Sequence, residues 1–139
     1  MLSIYPAYFV KDETGYTVIF PDWGGVASFG SDINEAMTMA IDCLAGLIFN
    51  ANIEGAELPK PSAINELSAI RFAEENECSV NDVSVQLVSV NAEVYAREHF
   101  QKCVKKTITI LEWQNREGMK RGINFSKICQ DALTAALTK

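Results

Sequence analysis

The residues best suited to chemistry lie late in the chain. In the stretch CVKKTITI, residues 103 to 110, a strand would set Lys105, Thr107 and Thr109 on one face and Lys106, Ile108 and Ile110 on the other. Lysine and threonine donate to or accept from base edges, and the threonine methyl meets thymine; a two-stranded ribbon is a width that the major groove of B-DNA admits. Fifteen residues on, Asn124 is a good N-cap for a last helix. Asn124, Ser126 and the free backbone N–H groups there suit a phosphate, with Lys127 one turn in. The residues alone leave a plainer reading open, in which TITI is a sheet edge whose lysines serve solubility.

Other chemistries find less support. Four cysteines at 43, 78, 103 and 129 show no CxxC pair and no histidine spaced to complete a metal site, so they read as buried free thiols. His99 is the only histidine, which leaves no multi-histidine mechanism. A two-metal nuclease needs clustered carboxylates with one on a central strand, and SIYPAYFV has none. There is no glycine-rich phosphate loop or nucleophile elbow. The chain is therefore expected to be no enzyme and to need no cofactor or metal. Asp22, Trp23 and Glu35 are instead candidates for a protein-binding surface, because a half-exposed tryptophan among acids suits an interface anchor. Trp23 could equally close the core, and Glu35 could serve a helix cap.

Charge divides the chain. The net charge is −6, yet residues 1–99 hold 15 Asp and Glu against Lys11, Lys60, Arg71 and Arg97, a balance of −11. Residues 100–139 hold eight Lys and Arg against Glu112, Glu117 and Asp131, a balance of +5. Such asymmetry implies two units with different partners, an acidic one for a basic protein and a basic one for phosphate. With 139 residues, 48% apolar and 22% charged, the composition is that of a soluble domain with a short appendage. No basic leader precedes the first apolar run, so the expected location is cytoplasmic.

The elements that must position these residues follow from pattern. SIYPAYFV (3–10) and YTVIF (16–20), joined by KDETG, predict a hairpin, and VASFG (26–30) a third strand. Asp32 and Glu35 predict a capping box for a helix whose apolar face is Ile33, Met37, Ala40, Ile41, Leu44, Leu47 and Ile48. A more polar helix is expected over 63–76, and a fourth strand over 83–90 with Val83, Val85, Leu87 and Ser89 on one face. Residues 93–102 are expected to link a first domain, 1–92, to a second, 103–139. In the second, a helix over 111–122 ends at Gly122, and Gly118 within it should cost about 1 kcal/mol relative to alanine. The last helix carries the stripe Phe125, Ile128, Cys129, Ala132, Leu133, Ala136 and Leu137.

About 40 residues with one strand cannot bury enough surface to fold alone, and an unpaired strand leaves its ladder unsatisfied. Two copies solve both problems. Antiparallel pairing of the strand about a two-fold axis lets Ile108, Ile110, Phe125, Ile128 and Leu133 share a homodimer core.

KKTITI, the short helix, RGINFSKICQDAL and the final apolar helix together resemble a ribbon-helix-helix DNA-binding domain over 103–138. SIYPAYFVKDETGYTVIFPDWGG, FGSDINEAM and LPKPS resemble the HicB family of antitoxins, and with the tail the likeness spans nearly the whole chain. It implies an α+β protein with a partial ribonuclease-H-like N-terminal domain (β-β-β-α with a further helix and strand) and a C-terminal ribbon-helix-helix dimerisation domain. It also implies that the first domain masks a small basic HicA-type toxin, an mRNA endoribonuclease, while the second binds operator DNA and represses the shared operon. A stand-alone ribbon-helix-helix repressor with a ligand-sensing N-terminal domain is the alternative.

Overall fold

Strands β1 (Ser3–Asp12) and β2 (Gly15–Phe20) form a tight antiparallel hairpin in a computed structural model that describes residues 1–139. Its turn is only Glu13 and Thr14, shorter than the five-residue loop expected, because Asp12 organises it. The Asp12 Oδ1 accepts from the Thr14 N–H (2.7 Å), the Thr14 hydroxyl (2.6 Å) and the Gly15 N–H (3.1 Å). β3 (Val26–Gly30) pairs with β2, and β4 (Val83–Val90) pairs with β1, giving the antiparallel order β3-β2-β1-β4.

Helix α1 (Ile33–Glu54) lies across one face of this sheet. Asp32 caps it, its Oδ1 accepting from the Glu35 N–H at 2.8 Å. Glu35 reaches back one residue beyond the cap, to the Ser31 N–H (3.1 Å) and the Ser31 hydroxyl. The core between helix and sheet contains Tyr5, Ala7 and Phe9 of β1, Val18 and Phe20 of β2, Val88 and Val90 of β4, and Ala36, Ala40, Leu44, Ala45 and Ile48 of α1. Full burial of side chains such as Phe9, Phe20 and Leu44 contributes about 1.5–3 kcal/mol each.

The inward side of α1 differs from the expected one. Ile33 is 41% exposed and Met37, Ile41 and Leu47 are half-buried, whereas four of the deepest positions are alanines. The cause is a close approach at the helix start. A Cβ on Gly30 would lie 2.1 Å from the Ala36 backbone nitrogen and 2.4 Å from its Cα. Small residues are selected where helix and sheet backbones nearly touch, so the larger aliphatics occupy the flanks. By length and composition α1 could cross a membrane, but its inner side is closed by the sheet.

Val83, Val85, Leu87 and Ser89 share one face of β4 as expected, but it is the face away from α1: Val88 and Val90 enter the main core, while Leu87 is half exposed. Both faces of β4 carry apolar residues, and alternation alone does not say which face the long helix covers. The opposite face is covered near Val83 by α2 (Ala69–Glu75), whose Phe72 stacks on Tyr8 with centroids 4.4 Å apart. The helix expected over 63–76 is divided: a 3-10 turn at Ile64–Glu66 precedes α2, whose start is capped by Ser68.

Residues 93–102 are not a free linker. They lie mostly in α3 (Ala92–His99), capped by Asn91 and packed on α1. The Tyr95 hydroxyl donates to Asp42 Oδ1 at 3.0 Å, and the Phe49 and Phe100 rings meet at 5.5 Å. The first compact unit accordingly runs Met1–Lys102.

The second unit is Cys103–Lys139, with α4 (Glu112–Lys120) and α5 (Phe125–Leu137). Residues 105–110 form no strand in the single chain, since strand hydrogen bonds need a neighbour and none is available within this unit. The Leu111 N–H donates to Gln114 Oε1 at 3.0 Å, which satisfies one free donor at the start of α4. Gly118 has a packing role that helix propensity misses. It is buried, and a Cβ there would lie 2.5 Å from the Phe125 ring and 3.1 Å from Ile123 Cδ1.

Candidate functional site

The second unit presents its cations and its apolar residues together. Lys105, Thr107 and Thr109 are all exposed, and so are Ile108 (54%) and Ile110 (40%), which the sequence reading assigns to a core. Ile128 and Leu133 are also more than half exposed, Phe125 is half-buried against Gly118, and no side chain of this unit is fully buried. Ile110, Trp113, Gly118, Ile123, Phe125 and Ile128 border a groove of about 410 Å³. A unit of this composition has its hydrophobic stripe made and nothing of its own to bury it against.

At the start of α5, Asn124 Oδ1 accepts from the Lys127 N–H at 3.0 Å, so the cap is formed as its residue type predicts. Ser126 is exposed beside it. The Lys127 ammonium is held 2.6 Å from Asp131 Oδ1 one turn along, an exposed pair of the kind that is worth little and exchanges easily. Lys127 thus stays available to an anion only in competition with its own helix.

In the first unit the three candidate interface residues do structural work. Asp22 sits in a 3-10 turn (Pro21–Trp23) and pins a loop 40 residues away: Oδ2 accepts from the Ser62 N–H at 2.8 Å and Oδ1 from the Ser62 hydroxyl at 2.5 Å. Trp23 packs beside Tyr5 at 5.4 Å against the core, with its Nε1 buried and unbonded. Glu35 is exposed but engaged with Ser31. Tyr5 in turn donates to the Pro59 carbonyl at 2.6 Å; burial pushes its phenol up, and the Asp22 carboxylate adds to the shift. The sequence does not show these roles, because Ser62 and Pro59 are remote from the residues they secure.

The electrostatics of this unit are one-sided. From Asp12 to Pro59, a stretch covering β2, β3 and α1, there is no Lys, Arg or His against eight acids. The chain's single ion pair is the one in α5, so none of the first unit's carboxylates has a cation within 4.0 Å. No three His, Cys, Asp or Glu side chains gather where they could hold a metal ion. His99 stacks on Tyr95 at 3.9 Å, and its Nδ1 donates to the Tyr95 carbonyl at 3.1 Å. The four thiols are free, but they are less enclosed than expected. Cys103 is exposed and the others are half-buried; burial raises the Cys43 pKa, helped by the neighbouring Asp42.

A four-stranded antiparallel sheet crossed by one long helix, followed by a small basic two-helix unit, defines an α+β protein. The family model described as "HicB_like antitoxin of bacterial toxin-antitoxin system" matches residues 5–115. The chain belongs to this HicB-like antitoxin family. It is 33% identical to a chain of a solved "Toxin-Antitoxin complex from Streptococcus pneumoniae", with 98% of this chain and 99% of that one covered and a TM-score of 0.63. A chain of an "HicA3 and HicB3 toxin-antitoxin complex" shares the fold at 22% identity and a TM-score of 0.50, over 61% of this chain and 94% of that one. No curated protein matches the chain.

Proposed function

We propose that this chain neutralises a HicA-type mRNA endoribonuclease by masking its active site with the acidic first unit, and represses its own operon through the basic second unit. The observation that carries the first half is the acidic unit itself, in which eight carboxylates between Asp12 and Pro59 meet no cation of the chain. An RNA-cutting toxin must attract phosphate and is basic, so such a surface steers and complements it. The solved relatives, which are toxin-antitoxin complexes, support the same partner. Three meandering strands followed by a covering helix support reading the first unit as partial ribonuclease-H-like.

The second unit is read as a ribbon-helix-helix domain completed by a second copy. What supports this is the exposure of Ile108, Ile110, Ile128 and Leu133 in a unit without a core. Pairing 105–110 antiparallel with its mate satisfies the backbone, buries the isoleucines and leaves Lys105, Thr107 and Thr109 facing the groove of operator DNA, with Asn124, Ser126 and Lys127 at phosphates.

Co-expression with the product of the neighbouring reading frame tests the antitoxin half: growth arrested by that product should resume, and persistent arrest would contradict the proposal. For the DNA half, Lys105→Ala with Thr107→Ala should weaken the shift of the chain's own promoter fragment while toxin neutralisation stays intact. Binding should also fall steeply with salt as phosphate contacts release counterions. A double variant that shifts the promoter like the parent would remove the ribbon reading.

A further inference from the structure

The two edges of the sheet are not alike. β4, at one edge, is flanked by α2 and the turn at Ile64–Glu66. At the other edge, β3 makes its main contacts with β2 and α1, and no further strand pairs with its outer side. Natural edge strands are guarded by lysine, proline, a bulge or a covering loop. β3, VASFG, has none of these residues and pairs with β2 in unbroken register from Val26 to Gly30. Val26, Ala27 and Phe29 are exposed along it, Phe29 by 47%. Such an edge offers unpaired N–H and C=O groups next to apolar side chains, which is what strand addition uses.

The charges at its ends choose the occupant. Asp22 lies just before β3, and Asp32 and Glu35 just after it, inside the stretch that holds no basic residue. Antiparallel pairing of β3 with a second copy would set the acids at one end of the strand opposite those at the other end of the copy, and like charges across an interface are costly. A strand of a basic protein meets no such penalty.

We propose that the open edge of β3 is where the antitoxin takes up an extended segment of its basic toxin, continuing the sheet by one strand with Val26, Ala27 and Phe29 against apolar side chains and Asp22, Asp32 and Glu35 against cations at the rim. This rests on the toxin-binding reading above and gives it a location. Backbone pairing supplies affinity that is insensitive to the toxin's exact sequence, and the acidic ends supply orientation.

The test uses the full chain and the purified basic product of the neighbouring reading frame, with affinity read by titration calorimetry. Ala27→Lys places a guarding cation at an exposed edge position, and affinity should fall about tenfold or more with the melting temperature of the free chain unchanged. Ala27→Glu obstructs the edge similarly but suits a basic partner, so it should lose several-fold less than Ala27→Lys. Leu87→Lys on β4, also exposed, should bind like the parent. If the parent binds but Ala27→Lys binds equally well, or Leu87→Lys is the variant that fails, the edge assignment is wrong while the toxin reading stands. If the parent does not bind at all, both fall. Sedimentation of the free chain completes the test: an oligomer that Ala27→Lys dissolves would mean that a second copy covers β3, overturning the choice of partner.

Discussion

Gly30→Ala sets two opposing effects against each other at the point where helix meets sheet. Gly30 lies in ordinary strand conformation, outside the set of positive-φ glycines, so alanine is sterically allowed by the backbone. If nothing stood nearby, the change would stabilise by about 0.4–1 kcal/mol by restricting the unfolded chain. The added methyl, however, would sit 2.1 Å from the Ala36 nitrogen, 2.4 Å from its Cα and 2.6 Å from the Glu35 carbonyl carbon. All three are backbone atoms of the first turn of α1, fixed by the Asp32 cap and by the fully buried Ala36. No side-chain rotation relieves the contact, so the overpacking cost belongs at the upper end of its usual range, about 3 kcal/mol. The net loss is about 2 kcal/mol, which for a unit of this size lowers the melting temperature by roughly 8–16 °C. Trp23 fluorescence in a Trp113→Phe background follows the first unit alone, since Trp113 belongs to the second. A melting temperature unchanged or raised by Gly30→Ala would refute the close approach of α1 and β3.

Gly118→Ala inverts the lesson of helix propensity: alanine should gain about 1 kcal/mol in α4, but displacing the Phe125 ring, 2.5 Å from the new methyl, should cost about 2 kcal/mol. A net destabilisation of about 1 kcal/mol in urea, reported by Trp113, is expected, and a stabilised variant would contradict the packing of Phe125 on α4. The carboxyl of Asp12 is held below its ordinary value, chiefly by the Thr14 hydroxyl and then by the Thr14 N–H. Because the folded pKa is depressed, its contribution is complete above the ordinary carboxylate value and is lost as pH falls through the folded one. Carbon-detected NMR titration should therefore find Asp12 ionising below the ordinary carboxylate value, and loss of this shift in Thr14→Ala should accompany a loosened hairpin.

Much of the chain's local structure is legible in its sequence because its signals are local. The strands of the hairpin, the Asp32 cap and the Asn124 cap need only neighbours a few residues away, and each is formed. What escapes is set by distant contacts. Alanines 36, 45 and 51 join the expected Ala40 on the inner side of α1, and the close approach of the sheet backbone at Ala36 is something hydrophobicity ranked by side-chain size cannot show. Val88 and Val90 rather than Leu87 face α1, since a strand apolar on both faces gives alternation no preference. Asp22 reads as an interface acid, and its second role, holding Ser62 across 40 residues, leaves no mark in the sequence. Ile108 and Ile110 illustrate a different limit: the strand and core proposed for them need a second chain, and in one chain both residues stand exposed.

The central claim, that the acidic unit silences a basic RNA-cutting partner, is tested most directly by titrating the full chain into the purified toxin and following cleavage of an RNA substrate. Cleavage should fall in proportion to added antitoxin and vanish near stoichiometric addition, with inhibition weakened by salt as expected for opposed charges. Cleavage that continues undiminished in excess of the chain would contradict it.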